Sequence, residues 1–481
     1  MRLFYGACIV KQGIVLNIKY IYRGFCGILL TLLYCASFFM VWYTFVRDHN
    51  QTGQLLGYGN LGMSTGIYLV MIFLLMRSLG GYQIGVHRMM RTIAGQIVTL
   101  LIADFVEVFI SLAITGQFRF FFAFAGRYLG LFIAQSALTL LMSTGMIIMY
   151  QRVFPSLKMV EICGNFQNTL YEKIESRPDK YDIEEKIQYP ENGEGLEEEI
   201  AKYDAVVVND LPSEEKNKVL KLCFEMDKRV YFTPKLSDII VRGAEELNIF
   251  DTPLYLCRNM GIPLWERILK RAFDIILSAI LLVLLSPLFL GVMIAIKIED
   301  GGPVFYKQER VTLNGRKFWI LKFRSMVVNA EDDGHPHPAG EHDPRITKVG
   351  HFIRPCRMDE LPQLLNILKG EMSVVGPRPE RVENVEEYTR EIPEFSFRHK
   401  VRGGLTGYAQ VYGKYNTKAL DKLKMDLTYI TNYSPLLDLQ IIFETLKILF
   451  VKESPEGFSE KQLEHMRQAE LLQQLREEHK G

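Results

Sequence analysis

Long apolar runs dominate the first 150 residues and then thin out. A helix needs about 20 residues to cross a bilayer. Four runs meet that length, at residues 25–46, 63–76, 92–115 and 128–150, the second only with its polar, uncharged approach. A fifth, at 275–296, carries no charge. Between residues 154 and 260 the pattern changes. Short buried-strand runs at 205–208 and 230–233 alternate with helical patterns. One helix opens at Ser213 with Val219, Leu220, Cys223 and Met226 inward; another is expected from Ser237 toward Leu247. That alternation predicts a small α/β domain with a parallel sheet. No G-x-G-x-x-G turn accompanies it, so dinucleotide binding is unsupported. Further on, Leu361, Leu364, Leu365 and Leu368 share one helical face. Pro362 fits only a first turn and Gly370 suits a C-cap, which predicts a helix starting near Asp359.

Composition sharpens this picture. At 481 residues the chain exceeds one domain, and its formal charge of +1 gives no reason to expect a nucleic-acid partner. Seven cysteines are scattered without a C-x-x-C, so neither a disulfide framework nor a thiolate zinc site is indicated; Cys356 is read as packing. No small-residue cleavage site follows the first apolar run. Arg2, Lys11, Lys19 and Arg23 precede that run, and Arg77, His87, Arg88 and Arg91 link the second and third. Positive flanks mark the cytoplasmic side, which puts both ends of a four-helix region there; Arg119 and Arg127 dissent mildly. Asp104 and Glu107 lie three apart in the third run. They are read as a polar seam between helices or protomers rather than a transport site, because no other span offers a Lys, Arg or His. That seam is one ground for expecting a homodimer. The fifth run has Ser286-Pro287 at its midpoint, where proline bends a helix. Arg267, Lys270 and Arg271 precede it and Lys297, Lys307, Arg310, Arg316 and Lys317 follow, which favours return to the same side.

Chemistry concentrates after residue 350. An isolated Asp-Glu pair would ordinarily be a helix cap. Here Asp359 and Glu360 stand beside Arg354 and Arg357, ahead of Gly376-Pro-Arg-Pro379 and a glycine-rich stretch from Gly403. An anionic nucleophile, arginines and close backbone suit work on a phosphate. A carboxylate at a helix start is expected to stay ionised. Arg378, fixed between two prolines, is a pre-organised phosphate clamp. His335, His337 and His342 fall in a Gly/Pro-rich stretch and are read as a solvated loop, not a zinc site.

These residues belong to a larger set: Lys270-Arg-Ala-Phe-Asp274, Leu285-Ser-Pro-Leu288, Gly301-Gly-Pro-Val-Phe305, Leu321-Lys-Phe-Arg-Ser-Met326, Met358-Asp-Glu-Leu-Pro-Gln363, Val375-Gly-Pro-Arg-Pro379 and Gly404-Leu-Thr-Gly-Tyr-Ala-Gln-Val411. In that order they resemble the bacterial polyprenyl-phosphate phosphoglycosyl transferases, the bacterial sugar transferases. The resemblance implies a multi-domain membrane protein. Residues 1–152 would be a four-helix transmembrane bundle and 153–260 a small Rossmann-like α/β domain. Residues 261–452 would be a mainly α-helical monotopic catalytic domain whose segment 275–296 is a re-entrant membrane helix breaking at Ser286 and Pro287, and 453–481 a charged helical tail. It implies transfer of a sugar-1-phosphate from a nucleoside (usually uridine) diphosphate sugar to polyprenyl (undecaprenyl) phosphate. Asp359 would be the covalent nucleophile, Mg²⁺ the metal held by Asp359 and Glu360, and Glu360 an assisting acid. Lys322, Arg324, Arg354 and Arg378 become phosphate-binding candidates, Gln410 part of the nucleotide pocket, and Asp438 a supporting acid. The setting would be the bacterial inner membrane, cytoplasmic face, at the first membrane step of exopolysaccharide, capsule or O-antigen synthesis. An inactive scaffold that recruits later enzymes is the alternative. The intact Asp-Glu pair and Gly-Pro-Arg-Pro speak against it, and one acidic pair is thin support for a transporter.

Overall fold

The computed structural model describes residues 2–49, 56–164, 170–190, 195–257, 261–328, 330, 343–413 and 417–450. His335, His337 and His342, and the charged tail from Ser459 to Lys480, lie outside them. The chain divides into two compact units, Met1–Thr233 and Pro234–Gly457.

The first unit opens with helices α1 (Arg2–Thr44), α2 (Tyr58–Ser78), α3 (Met89–Thr115) and α4 (Phe121–Val153). The helical stretches Asn17–Asp48, Tyr58–Ser78, Met89–Thr115 and Phe118–Val153 are each long and apolar enough to cross a membrane, as the four runs predict. Lipid offers helices no hydrophobic reason to associate, so packing and polar contacts must hold them together. Phe38 stacks on Tyr68 with ring centroids 4.2 Å apart. Around that stack Tyr34, Trp42 and Phe124 are fully buried. A polar line threads the bundle. Tyr68 donates to Asp104 at 3.0 Å and Ser64 to Glu107 at 3.3 Å. Ser143 donates to Gln96 at 2.6 Å, and Gln135 donates to the Tyr34 carbonyl at 3.1 Å. Asp104 and Glu107 are 3% and 0% exposed, so the seam closes within one chain. The homodimer expectation loses that ground.

After the bundle in chain order, β1 (Leu157–Cys163), α5 (Leu170–Glu175), β2 (Tyr181–Gln188), α6 (Leu196–Ala201), β3 (Ala205–Asn209), α7 (Ser213–Glu225) and β4 (Arg229–Phe232) form the α/β part. The strands are parallel in the order β2-β1-β3-β4. β3 is buried along its whole length, as a central parallel strand flanked by helices must be. Val219 and Cys223 of α7 enter the same core.

The second unit begins at Pro234, ahead of the residue-260 boundary drawn from the sequence, because α8 (Leu236–Arg242) buries Ile239 among Leu427 and Ile430. The helix expected to run toward Leu247 stops at Arg242. Gly243 lies so close to the Thr431 carbonyl that a Cβ there would meet its oxygen at 2.6 Å. Residues beyond it form an antiparallel hairpin, β5 (Glu245–Ile249) with β6 (Thr252–Leu256). Then follow α9 (Leu264–Leu284), α10 (Ser286–Asp300), the ribbon β7 (Phe305–Val311) and β8 (Lys317–Phe323), α11 (Lys348–Ile353), α12 (Gln363–Lys369), β9 (Ser373–Val375), α13 (Val382–Glu391), β10 (Gly404–Thr406), α14 (Tyr408–Tyr412), α15 (Ala419–Thr431) and α16 (Pro435–Phe450).

α9 and α10 are one apolar segment bent by 63° at Leu285, beside Pro287. Ser286 donates back to the Val283 carbonyl at 2.7 Å across the break. α9 has two unlike faces. Ile268, Ile276, Ile280 and Val283 point outward, each more than half exposed. Lys270, Asp274 and Ser278, four apart, point inward and are buried. Lys270 pairs with Asp438 at 2.6 Å, and Tyr429 donates to the same carboxylate at 2.7 Å. Asp274 accepts from the Val374 amide at 2.9 Å. Arg271 donates to the Ile367 and Leu368 carbonyls at 2.6 and 2.9 Å, capping the end of α12.

Breaking one side of a buried pair strands the other charge, at a cost of about 3–5 kcal/mol, whereas replacing both sides is often neutral. Asp438→Ala is therefore expected to lower unfolding stability by about that amount. Lys270→Met with Asp438→Leu should recover most of the loss. Chemical denaturation in one detergent, run as a double-mutant cycle, checks it; additive losses would mean that the pair is not coupled.

Candidate active site

The site sits where four segments meet, each held by its own backbone bonds. On the ribbon, Tyr306 pairs with Lys322 and Arg310 with Phe318, so Arg310 and Lys322 share one face. α12 docks on this ribbon through Asn366. Its side chain accepts from the Leu321 amide at 3.0 Å and donates to the Trp319 carbonyl at 2.8 Å, as a neighbouring strand would. Asp359 and Glu360 lie on a 3₁₀ turn, Met358–Glu360, entered through a left-handed Arg357 at φ 52°. The last segment is Gly376-Pro-Arg-Pro379. The Gly376 amide donates to Thr406 at 2.8 Å and the Gly404 amide to Pro377 at 2.9 Å. Gly404 comes so near that a Cβ on it would meet the Gly376 nitrogen at 2.1 Å. Side chains are excluded there because two backbones touch.

At the centre Glu360 is buried and accepts from Arg378 at 2.7 Å and from Lys322 at 3.4 Å. Burial alone would raise its carboxyl, but Arg378 and Lys322 outweigh burial and hold it below the usual range. Glu360 in turn pulls Arg378 up, against the desolvation of that guanidinium. At Lys322 burial prevails over Glu360 and the ammonium is lowered. Asp359 differs. It is half-buried and has no hydrogen-bond or ion-pair partner among the described residues. Burial pushes its carboxyl up; Lys322 pulls it back, Glu360 adds to the rise, and Arg354 and Arg378 oppose it.

The helix start expected to support the Asp359 charge is not what surrounds it. Asp359 precedes α12 by a separate turn with Pro362 between them, and α12 is only 7 residues long. The cations, not a helix end, oppose its protonation. Of the other candidates, Lys322 and Arg378 reach Glu360, and Arg354 closes α11 within the field of Asp359. Arg324 is not brought to the pair. It forks onto Asp300 and donates through Nε to the Pro303 carbonyl at 2.7 Å, locking the end of α10. Gln410 lies on α14 and donates to the Leu405 carbonyl at 3.3 Å. Asp438 belongs to the Lys270 cluster at the base of α9. Ser286 and Pro287 mark the helix break. Cys356, read as packing, is exposed.

Two residues were missed in the sequence. Arg398, 2% exposed, donates to the Arg378 carbonyl at 2.8 Å and pairs with Asp426 at 2.8 Å. Arg310 donates to the Pro379 carbonyl at 3.1 Å from the other side. In the sequence the first looks like part of a surface run with His399 and Lys400, and the second like a membrane flank; no signal in the sequence separates them from such roles.

The described residues hold no cluster of three or more His, Cys, Asp or Glu side chains suited to a metal. What they offer is one carboxylate without a partner beside another that is fully compensated, ringed by cations. That arrangement suits an attack on a phosphorus by Asp359 while Glu360 stays charged.

Part of this chain is similar to known proteins. The description "Bacterial sugar transferase" matches residues 265–452. The UDP-glucose:undecaprenyl-phosphate glucose-1-phosphate transferase of Escherichia coli (strain K12) is 40% identical over 219 residues, 44% of this chain and 45% of that protein. The UDP-N-acetylgalactosamine-undecaprenyl-phosphate N-acetylgalactosaminephosphotransferase of Aeromonas hydrophila is 39% identical over 254 residues, 52% of this chain and 59% of that one. The matches therefore span about half the length of these two relatives. The exopolysaccharide production protein ExoY of Sinorhizobium fredii is 41% identical over 191 residues, 37% of this chain but 83% of that protein. With a family match over 265–452, and most of one relative covered at that identity, this chain belongs to the bacterial sugar transferase family.

Proposed function

We propose that this protein moves a sugar phosphate from a uridine diphosphate sugar to undecaprenyl phosphate at the start of a surface-glycan pathway. The observation that carries the reading is Asp359, without a partner among the described residues, beside a Glu360 that Arg378 and Lys322 already neutralise. The names of the relatives supply the substrate class.

The chemistry is two displacements at one phosphorus. An Asp359 carboxylate oxygen attacks the phosphorus that bears the sugar, and the bond to the nucleoside monophosphate breaks. That monophosphate leaves with the electron pair. An oxygen of the lipid phosphate then attacks the same phosphorus, the acyl-phosphate bond breaks, and Asp359 returns as a carboxylate. Splitting the transfer spares the site from holding two anionic substrates together. Throughout, Glu360 keeps Arg378 and Lys322 in place. Mg²⁺ suits this donor set because it takes few protein carboxylates and keeps several waters. Asp359 is the better ligand, since Glu360 is already shared by two cations. Bound there, the ion would neutralise pyrophosphate charge.

We read the bent pair α9–α10 as a re-entrant hairpin in the cytoplasmic leaflet of the bacterial inner membrane. Its 63° bend and outward apolar face support this. The α/β part has the flavodoxin-like strand order of the doubly wound class, in which a Rossmann-like reading without a dinucleotide turn falls.

Purified protein with undecaprenyl phosphate and a panel of uridine diphosphate sugars should release uridine monophosphate with one of them. Without acceptor, donor and Mg²⁺ should leave a sugar-phosphate adduct on Asp359, seen by intact-mass and peptide analysis. Asp359→Asn should lose roughly 10⁴-fold or more in turnover while staying folded. An active enzyme that never carries the adduct and obeys ternary-complex kinetics would sink the covalent route.

The electrostatics set a sign for pH dependence. Lys322 is the leading influence pulling the Asp359 carboxyl down, so Lys322→Met should raise it. The acid limb of kcat/KM, which tracks the Asp359 carboxylate, should then move to higher pH. An unmoved or lowered limb refutes this assignment.

Cysteines placed at Arg267 and at Lys317, in a background without native cysteines, should both react only with a cytoplasmic thiol reagent. Labelling of the second from outside would make the pair a true span.

A further inference from the structure

Arg310 has a charge that its described surroundings do not answer. Nη2 donates to the neutral amide of Gln308 at 2.6 Å and Nη1 to the Pro379 carbonyl at 3.1 Å. Its Nε is buried and has no partner among the described residues. No carboxylate pairs with it among the described residues. The nearby acids are committed: Glu360 to Arg378 and Lys322, and Glu380 to Lys422 at 3.5 Å and Arg398 at 3.7 Å. Burial, then Arg378, lower the Arg310 guanidinium to about 10, with Glu380 opposing. A half-buried guanidinium bonded only to neutral groups, among like charges, is costly unless an anion completes it. Position gives that anion a place. Arg310 shares the ribbon face of Lys322 and touches the residue after Arg378. Two of the five guanidinium N–H donors reach neutral oxygens, which leaves donors of the planar fork for phosphate oxygens.

We propose that Arg310 is a phosphate-binding residue of this site, contacting a phosphoryl group of the substrates alongside Lys322 and Arg378. The inference rests on the function proposed above. A phosphoryl oxygen can come from the donor's diphosphate or from the lipid phosphate, and kinetics tell the two apart.

The test uses full-length protein in lipid nanodiscs, as wild type, Arg310→Gln and Arg310→Lys. Each is assayed with the uridine diphosphate sugar that the wild type uses and with undecaprenyl phosphate, varying one at a time. Thermal unfolding of each is recorded in parallel. A lost charge-assisted contact predicts a KM raised about ten- to hundredfold for Arg310→Gln. Arg310→Lys should recover only part, because an ammonium keeps the charge but not the fork. A rise confined to donor KM assigns Arg310 to the diphosphate; a rise confined to acceptor KM assigns it to the lipid phosphate. If Arg310→Gln does not fold, Arg310→Lys decides by the same comparison. A lowered unfolding temperature with both KM values within twofold of wild type would overturn the proposal and leave Arg310 a brace for Pro379. Failure of the underlying function is separate: the wild type would then release no uridine monophosphate with any donor.

Discussion

Everything at the candidate site depends on one carboxylate shared by two cations. Glu360 is buried, and a buried carboxylate alone would be protonated or would unfold the turn that carries it. Arg378 and Lys322 prevent that, and each comes from a different segment. The shared contact therefore closes the turn, the ribbon and the Gly-Pro-Arg-Pro loop on one another. It also decides what Asp359 can do. With both cations bonded to its neighbour, Asp359 feels their field without being bonded to either. A carboxylate that burial makes more basic, opposed by cations that are bonded to its neighbour and not to it, keeps its oxygens free, which is what an oxygen nucleophile needs.

The same economy appears in α9. Its inward stripe of Lys270, Asp274 and Ser278 and the adjacent Arg271 bond to α16, β9 and the end of α12, while its outward side is apolar. The element suited to lipid is thus also the one that grips the scaffold under the site. A lipid-borne phosphate and a water-soluble nucleotide can meet only at a membrane face. Under the re-entrant reading proposed above, a unit bonded directly to its own apolar hairpin would have its height above the bilayer fixed by that bonding.

The sequence shows some of this well. Long apolar runs mark the four helices because bilayer thickness sets their length. Ser286-Pro287 marks the bend because proline cannot complete the helix ladder. The Asp-Glu pair and the Gly-Pro-Arg-Pro loop were readable because their motifs are local. What escaped was set by distant contacts. Arg324 looked like a phosphate ligand and turned out to be bound to Asp300, 24 residues earlier. Gly243 ended α8 because Thr431 lies against it, which no local propensity reports. Arg310 and Arg398 looked like ordinary surface cations, because their roles depend on where the 378–380 segment passes.

The helix bundle and the second unit treat their buried acids in opposite ways. In the bundle Asp104 and Glu107 receive hydroxyl donors from Tyr68 and Ser64 and, among the described residues, no cation. Neutral donors can hold a polar seam between helices but offer nothing to an incoming dianion. In the second unit the buried acids sit among Lys and Arg, and Arg310 has no carboxylate partner among the described residues. The site residues and their braces, from Lys270 to Asp438, all belong to that unit. The match to 83% of the Sinorhizobium fredii protein involves only 37% of this chain. Under the proposed function the groups that act on the phosphorus all come from the second unit.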